Sequence, residues 1–507
     1  MVRVGSVLAC VLGAGCSIVF DTDDLPRVDA PIIDATPADA APDADPTALD
    51  VTGVVPATAL EGTGADGGRP LVALVSGSNI AGDVVVTAAF TDGAHETLDL
   101  VEAPVRAAGG NQVALALRLP VDDTCASGTR TVAITLAQAG VSDTATIEVT
   151  CLPELTLAAG DVEVASLSPR YSRIEVTGAV HFNGSTPAIL RATAGVTLGA
   201  LLDVDAAGVT AGVHGCGGGA ATANGGCGDS GGRGGADGTL AGADAQSGGG
   251  GGFGTPGQDG DGAARGAASG NAMLVPLVSV DVNQPGNRGN GGGGGGAGAL
   301  TGAGGTGGGG GGSLAIFAGG RVTLAGGGLR ATGAAGTSGG AAGGAGGGGG
   351  SGGAILLRAG GGVLDATGAW MSAAGGSGGD SSPNGVGDGG DGGLGRIRLD
   401  APGAVDLTAV TTPPPQRGPM WDTATPLVAR GGSLTTTLFG GTNSAYGIRV
   451  DGSNALDVTF TSNPMEALTV PLMPGRHEVC AMYTANAMVT TSGLDETQAC
   501  IDVIAIP

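Results

Sequence analysis

From residue 51 to 152 the chain alternates short apolar runs with Gly, Asp and Pro: "VTGVVP", "GGRPLVALVSGSNI", "GDVVVTAAF", "QVALALRLP", "RTVAITLAQAG" and "DTATIEVTC". Runs of this kind, cut by turn formers, predict strands packed as a β-sandwich. A second pattern follows. "GSLAIFAGGRVTLAGGGLRATGAAG" from Gly312, "GAILLRAGGGVLDATGAWMSAAGG" from Gly353 and "GRIRLDAPGAVDLTAV" from Gly395 recur at spacings of 41 and 42 residues. In each, an alternating run (Leu314 and Ile316, Ile355 and Leu357, Ile397 and Leu399) turns and resumes at Val322, Val363 or Val405. "AILRATAGVTLGALLDVDAAG" from Ala188 fits the same frame. Four copies of one unit predict a solenoid, and short strands that bury every second residue between turns predict the rungs of a parallel β-helix. Between 420 and 507, "DGSNALDVTFTS", "EALTVPLMPGRHEVCAMY" and "ACIDVIAI" predict a second small β-sandwich.

A rung needs about 20 to 25 residues, so each repeat leaves a glycine-rich remainder that departs from the coil and returns. Glycine loses the most backbone entropy on ordering, which favours mobile loops. Glycine also permits extended threefold helices to lie side by side at a spacing no larger residue allows. Tracts such as "GGGGGGAGALTGAGGTGGGGGG", 291–312, resemble the packed polyglycine helices of mycobacterial glycine-rich surface proteins and of certain antifreeze proteins. They lack a strict triplet period, and a packed sheath and mobile loops both stand as expectations.

The N-terminus adds a destination. "MVRVGSVLACVLGAGCS" has one Arg, a short apolar stretch and small residues before Cys16, the form of a secretion signal and too short to span a bilayer. "LGAGC" resembles the lipobox of bacterial lipoproteins, which implies cleavage after residue 15 and diacylglycerol on the Cys16 thiol; an ordinary cleaved signal and an uncleaved anchor are the alternatives. Residues 21–50 hold nine Asp and five Pro. Such a segment extends by self-repulsion and polyproline stiffness, reaching roughly 90 Å as a tether. The sandwich that follows resembles the TIG-type immunoglobulin-like fold in Val54, Val55 and Pro56, the pair Gly67 and Gly68, and Ser76 to Asn79; the resemblance implies a spacer or binding module. "LMPGRHEVCAMY" is similar to the penultimate strand of immunoglobulin-like domains. The chain is therefore read as all-β: signal 1–15, tether 16–50, immunoglobulin-like sandwich 51–152, glycine-rich parallel β-helix 153–410, Pro-rich hinge 411–419 and C-terminal sandwich 420–507.

Composition narrows the partners. Of 507 residues 107 are Gly and only 2% are aromatic, which excludes a large aromatic-filled core. A net charge of −25 argues against nucleic acid and anionic lipid faces while leaving divalent cations open. Of eight Cys, Cys10 leaves with the signal, Cys16 takes the lipid, and six form sequence-local pairs in an exported protein: Cys125 with Cys151, Cys216 with Cys227, and Cys480 with Cys500. "HGC" at His214 to Cys216 with Cys227 offers three zinc ligands as the competing reading, but no fourth lies nearby.

Catalytic signals are sparse. Polysaccharide lyases of the parallel β-helix class draw Arg, Lys, Asp and Glu from successive rungs around Ca²⁺, which here would enlist Arg358, Asp365, Arg398 and Asp400. The position of Arg358 is Phe317 in one repeat and Asp400 in another, the scatter expected of surface positions. His95, His181, His214 and His477 sit in no nucleophile motif, and the glycine strings lack the Lys of a phosphate loop. "GQDGDG" at 257–262 and "GDGGDGG" at 387–393 echo calcium-binding β-rolls without their tandem nine-residue unit. Trp370 and Trp421 are expected in cores rather than on a sugar platform. The sum points to a non-enzymatic outer-membrane lipoprotein of the cell envelope for surface display, spacing or adhesion. It needs no cofactor; its partners would be the membrane and a surface polysaccharide or protein, with calcium as a lesser candidate. The alternatives are a carbohydrate-active β-helix enzyme and an ice- or calcium-binding surface protein.

Overall fold

The computed structural model of the chain describes residues 48–506 apart from 93–96, 122–124, 126–127, 227–229, 236–244, 268–288, 290–302, 341–342, 362–367, 382–386, 404–409 and 484–497. Cys10, Cys16 and nearly all of the expected tether, with His95, Cys227, Val363, Asp365 and Val405, lie outside the described residues. Residues 47–507 form one compact unit. It is all-β: among the described residues the helical pieces are two short turns, Ala65–Gly67 and Val164–Ser166.

The first region is two four-stranded sheets face to face. Thr129–Gln138 and Val141–Thr150 pair as a hairpin whose loop, Ala139 and Gly140, has φ of 48° and 81°. Two positive φ values match the twist of the flanking strands. Alternation places Val132, Ile134, Leu136, Ile147 and Val149 inward against Ala73, Val75, Val113, Leu115 and Leu117 of the facing sheet. The run "LVALV" in Leu71–Ser78 does not alternate, because its other face is buried too: Val72 and Leu74 meet Leu427, Ile504 and Ile506 from the end of the chain.

The second region winds three parallel sheets. One stacks Leu155–Leu157, Ile174–Val176, Val196–Leu198 and Val322–Leu324; a second runs from Gly160–Glu163 through Val180–Asn183, Leu202–Asp203, Gly328–Arg330 and Trp370–Ser372 to Val410–Thr412. The third stacks Ala188–Ala192, Ser313–Ala318, Ala354–Ala359 and Arg396–Asp400. Its register aligns Ala188, Leu314, Ile355 and Ile397, and one step on Leu190, Ile316, Leu357 and Leu399. The repeats read from the sequence are therefore neighbours in one parallel ladder. Their inward residues fill a single core with Val176, Leu198, Leu324, Leu329 and Met371.

Three expectations need correction. The two middle strands of the third sheet bury every residue rather than every second one, all six in Ser313–Ala318 and in Ala354–Ala359, whereas Ala188–Ala192 keeps the expected alternation. A strand covered on both faces reads as a continuous apolar run, which explains "AILL". Phe317, Arg358 and Asp400, taken as surface positions, are 7%, 9% and 1% exposed. Trp370 is not in the core; it lies half-buried on the outside of the second sheet over Gly328, whose Cβ would come within 2.5 Å of the indole.

The described glycine tracts pack, and their hydrogen bonds step by three. Gly305, Gly308 and Gly311 donate to the carbonyls of Ala345, Gly348 and Ser351; Gly347, Gly350 and Gly353 donate to Thr337, Ala334 and Ala331; Gly349 and Gly352 donate to Gly390 and Gly393. Gly248 and Gly251 donate to Gly346 and Gly349, and Gly376 and Gly379 to Gly350 and Gly347. Segment 345–353 is thus bonded to five others, in the threefold extended geometry that carries no hydrogen bonds of its own. A Cβ on Gly346, Gly347 or Gly348 would fall 1.9 Å from Gly379 O, 2.1 Å from Thr306 O and 2.1 Å from Gly249 O in turn. Three successive residues face three different neighbours, so each must be Gly. Outer segments face fewer: in 331–339 the glycines are Gly333, Gly336 and Gly339, all on packed sides, and in 387–395 Asp388, Asp391 and Leu394 take every third place while glycines take the other two. The triplet period is present, but its glycine count varies with depth in the bundle, which masks it when tracts are read end to end.

The third region pairs a three-stranded sheet with a five-stranded one around Leu434, Leu438, Tyr446, Ile448, Phe460, Val470 and Val479. Trp421 lies in this core and its Nε1 donates to Ala499 O at 2.8 Å. Cys480 and Cys500 sit directly opposite on neighbouring strands and form a disulfide, as do Cys125 and Cys151. The segment expected as a hinge is fastened along its length: Thr412 O accepts from Ala373 N, Gln416 N donates to Ile397 O, and Gly418 N donates to an Asp400 carboxylate oxygen.

Candidate functional site: an arginine-lined cavity

Of the residues enlisted by the lyase comparison, Arg358, Arg398 and Asp400 meet, while Asp365 lies outside the described residues. Third-sheet register puts Arg191, Phe317, Arg358 and Asp400 in one outward column. The Asp400 carboxylate takes Arg358 Nη2 at 2.9 Å, Arg398 Nη2 at 2.6 Å and Arg398 Nε at 2.9 Å. The Asp400 and Arg398 side chains have no exposed surface. Burial works to raise the Asp400 carboxyl, but Arg398 and Arg358 outweigh it and hold the group below the ordinary carboxylate range. Arg358 Nη1 also donates to Gln498 O at 2.6 Å, tying the coil to the last strand. Sealed and saturated, Asp400 and Arg398 fasten regions together; they offer no proton-transfer group to a bound chain.

Beside this triad the three regions line a half-open cleft of about 490 Å³. The first region contributes Leu60, Thr63, Gly64 and Arg69; the coil contributes Arg170, Arg191, Thr193, Phe317, Gly319 and Arg358; the last contributes Trp421, Glu478, Gln498 and Cys500. Arg191 and Arg358 lie over the Phe317 ring at 5.3 and 5.7 Å from its centroid. Arg69 is held by the carbonyls of Asp422 and Thr425 at 3.3 and 3.4 Å. Burial pushes Arg69 down to about 10, against the pull of Asp502, Asp422 and Glu102, so it stays protonated at neutral pH. The fold can do here what no single repeat announces: gather guanidiniums from separate stretches around one space.

The other sequence candidates are placed as follows. Cys216 is disulfide-bonded, and His214 Nδ1 is 3.3 Å from Ser313 Oγ, so that thiol is not held for a metal. The two Asp-rich turns come side by side, with Gln258 N donating to Asp391 O. Their carboxylates serve local amides: Asp259 takes Arg265 N, Asp388 takes Ser381 N and Asp391 takes Gly378 N. Among the described residues a triplet of metal-type ligands occurs at Glu478, Cys480 and Cys500, but those sulfurs form the disulfide. His181 lies 3.6 Å from Asp203 and His477 2.7 Å from Asp451. Among the described residues no helix is long and apolar enough to cross a membrane. No family model, curated protein or solved structure matches the chain.

Sequence reasoning named Arg358 but missed the cavity. The arginines come from three distant stretches, Arg170 and Arg191 being near one another in sequence, and what joins them is the packing of the first and last regions against the third sheet. The continuous burial pattern of "LAIF" and "AILLR" was the available signal that something covers that sheet.

Proposed function

We propose that the chain is a non-enzymatic, exported lipoprotein of a Gram-negative cell envelope, anchored through Cys16 and serving surface display, spacing or adhesion. In this reading the body comprises a TIG or immunoglobulin-like sandwich, a glycine-rich parallel β-helix and a second small sandwich. The observation that carries it is the joining of the lipobox-like "LGAGC", through an acidic Pro-rich segment, to a body fastened by disulfides. Two local disulfides suit an oxidising compartment. A glycine bundle bonded on many sides suits a stiff spacer, since no bulky core has to be built to make it rigid. The membrane would be held by acyl chains alone, because an acidic chain gains nothing from anionic headgroups.

Fractionation of cells expressing the full chain tests this. Wild type is expected in the membrane fraction, resistant to high salt and released by detergent, with an intact mass that includes lipid. Cys16→Ser is expected in the soluble fraction or unprocessed at the inner membrane, with the body's disulfides intact. A wild type that is already soluble and a Cys16→Ser variant processed identically would replace the anchor with ordinary secretion.

A further inference from the structure

We propose that Glu478, Cys480 and Cys500 form a redox-gated site for a thiophilic divalent cation, closed while the two sulfurs are bonded and opened by a dithiol reductant. The first observation is register. Cys480 and Cys500 face each other within the ladder that pairs Gly475–Tyr483 with Gln498–Ile506, their Cα atoms 4.0 Å apart. Pairing continues on both sides of them, from Gly475 opposite Ala505 to Met482 opposite Gln498. These are also inner strands of their sheet, flanked by Ser444–Val450 on one side and Val428–Arg430 on the other. Backbone bonds therefore keep the two sulfurs side by side whether or not they are joined, and breaking the disulfide leaves two thiols still opposite each other.

The second observation is a third donor. Positions two apart in a strand share a face, so Glu478 stands beside Cys480. A carboxylate oxygen of Glu478 and the two sulfurs all lie within 4.8 Å of one another. The Glu478 side chain is exposed and takes no hydrogen bond or ion pair among the described residues, whereas Asp502, directly across from it, is occupied by Arg476 Nη2 at 2.8 Å. Two thiolates and one carboxylate suit Zn²⁺ or the softer Cd²⁺, three protein ligands leaving a fourth position open. Glu478 and Cys500 line the cleft between the regions, which gives a cation its way in. Opening takes two electrons. One thiol of the reductant attacks Cys500, the exposed partner, and its second thiol resolves the mixed disulfide; the reductant leaves as a disulfide and its two protons pass to Cys480 and Cys500. Cation binding then releases those protons to solvent. The site stands whether or not Cys16 carries lipid, so its failure and the failure of the anchor are separate results.

Cysteine protection on the full-length protein tests it. The protein is reduced with dithiothreitol without denaturant, freed of reductant under argon, titrated with Cd²⁺ and treated with iodoacetamide, and peptide mass spectrometry reads each cysteine by itself. Dithiothreitol is expected to open Cys480–Cys500 while circular dichroism keeps its folded signal, and Cd²⁺ is expected to shield Cys500 from alkylation. Glu478→Gln, an exposed change that leaves the disulfide and the ladder in place, should need at least about tenfold more Cd²⁺, the loss that removing even an outer partner of a metal ligand brings. Cys480→Ala should abolish the shielding of Cys500, and Glu478→Gln remains the readout if that variant fails to fold. A disulfide that opens only in denaturant, loss of the folded signal on reduction, no shielding of Cys500, or the same Cd²⁺ requirement in Glu478→Gln as in wild type overturns the proposal.

Discussion

Each repeat of the central region is held in two opposite ways. In Ala354–Ala359, side chains do the work: Ile355 and Leu357 point into the coil and are at most 1% exposed. A few residues earlier, in 345–353, backbones approach so closely that almost no side chain fits. Both halves meet the same requirement, that buried N–H and C=O groups be bonded. The coil meets it through parallel ladders and gains from apolar burial; the bundle meets it through bonds to several neighbours and gains little from side chains. Ordering a glycine costs about 1–2 kcal/mol while one backbone hydrogen bond returns only about 1. The bundle therefore depends on the coil, whose rungs fix the ends of the glycine segments and align them.

The largest expected effect lies where the coil is fastened to its surroundings. Asp400→Asn withdraws the carboxylate shared by two buried guanidiniums and should cost about 3–5 kcal/mol in chemical denaturation. The same carboxyl predicts an acid limb. Because its folded pKa is depressed, its contribution is fully present above the ordinary value of about 3.9 and is lost as pH falls through the lower folded value. Wild type should lose stability over that window, and Asp400→Asn should show a flatter profile there. A variant as stable as wild type would mean that the outer face of the third sheet is not held by this triad.

A smaller pair of effects sharpens the contrast between the two packings. Leu357→Ala removes methyl groups from the coil and should cost about 2–5 kcal/mol by leaving a cavity. Gly350→Ala adds one methyl to the bundle, 2.0 Å from Gly309 O and 2.5 Å from its carbonyl carbon. Its cost should reach the upper end of overpacking, about 3 kcal/mol, because the obstructing atoms are fixed backbone. Helix propensity or chain entropy alone would favour alanine over glycine, so a stabilised Gly350→Ala would show that the glycine segments do not pack as described.

Legibility followed the same division. The ladder of Leu314, Ile355 and Ile397 was readable because apolar spacing repeats from rung to rung. The sheath was half readable. "GAAGTSG" and "GDGGDGGLG" each carry a period of three, but the phase belongs to one segment and its neighbours are far off in sequence. Phe317, Arg358 and Asp400 misled because unlike residues in one column suggest solvent, whereas here Phe317 packs in a cluster with Phe253, Arg358 reaches Gln498 O and Asp400 takes Gly418 N. The cavity was not readable at all, since Arg69 and Arg191 converge only through the docking of the first region on the coil.

The smallest expected effect is the most discriminating for the bundle. In 373–379, Gly376 and Gly379 face Ala334 and Thr337, Gly375 and Gly378 face Gly392 and Gly389, and Ala374 and Ser377 take the remaining side, with Ser377 exposed. A threefold helix with two packed sides has one free side, so every third residue should accept substitution while its neighbours do not. Ser377→Leu is expected to change stability by no more than about 0.5 kcal/mol, the range of ordinary surface positions. Gly376→Ala, one residue earlier, would place a methyl 2.0 Å from Ala334 O and should cost several times as much. Thermal melts of the two variants side by side decide the matter: equal tolerance at both positions would mean a loose loop, and a sharp difference between adjacent residues is what a packed threefold helix requires.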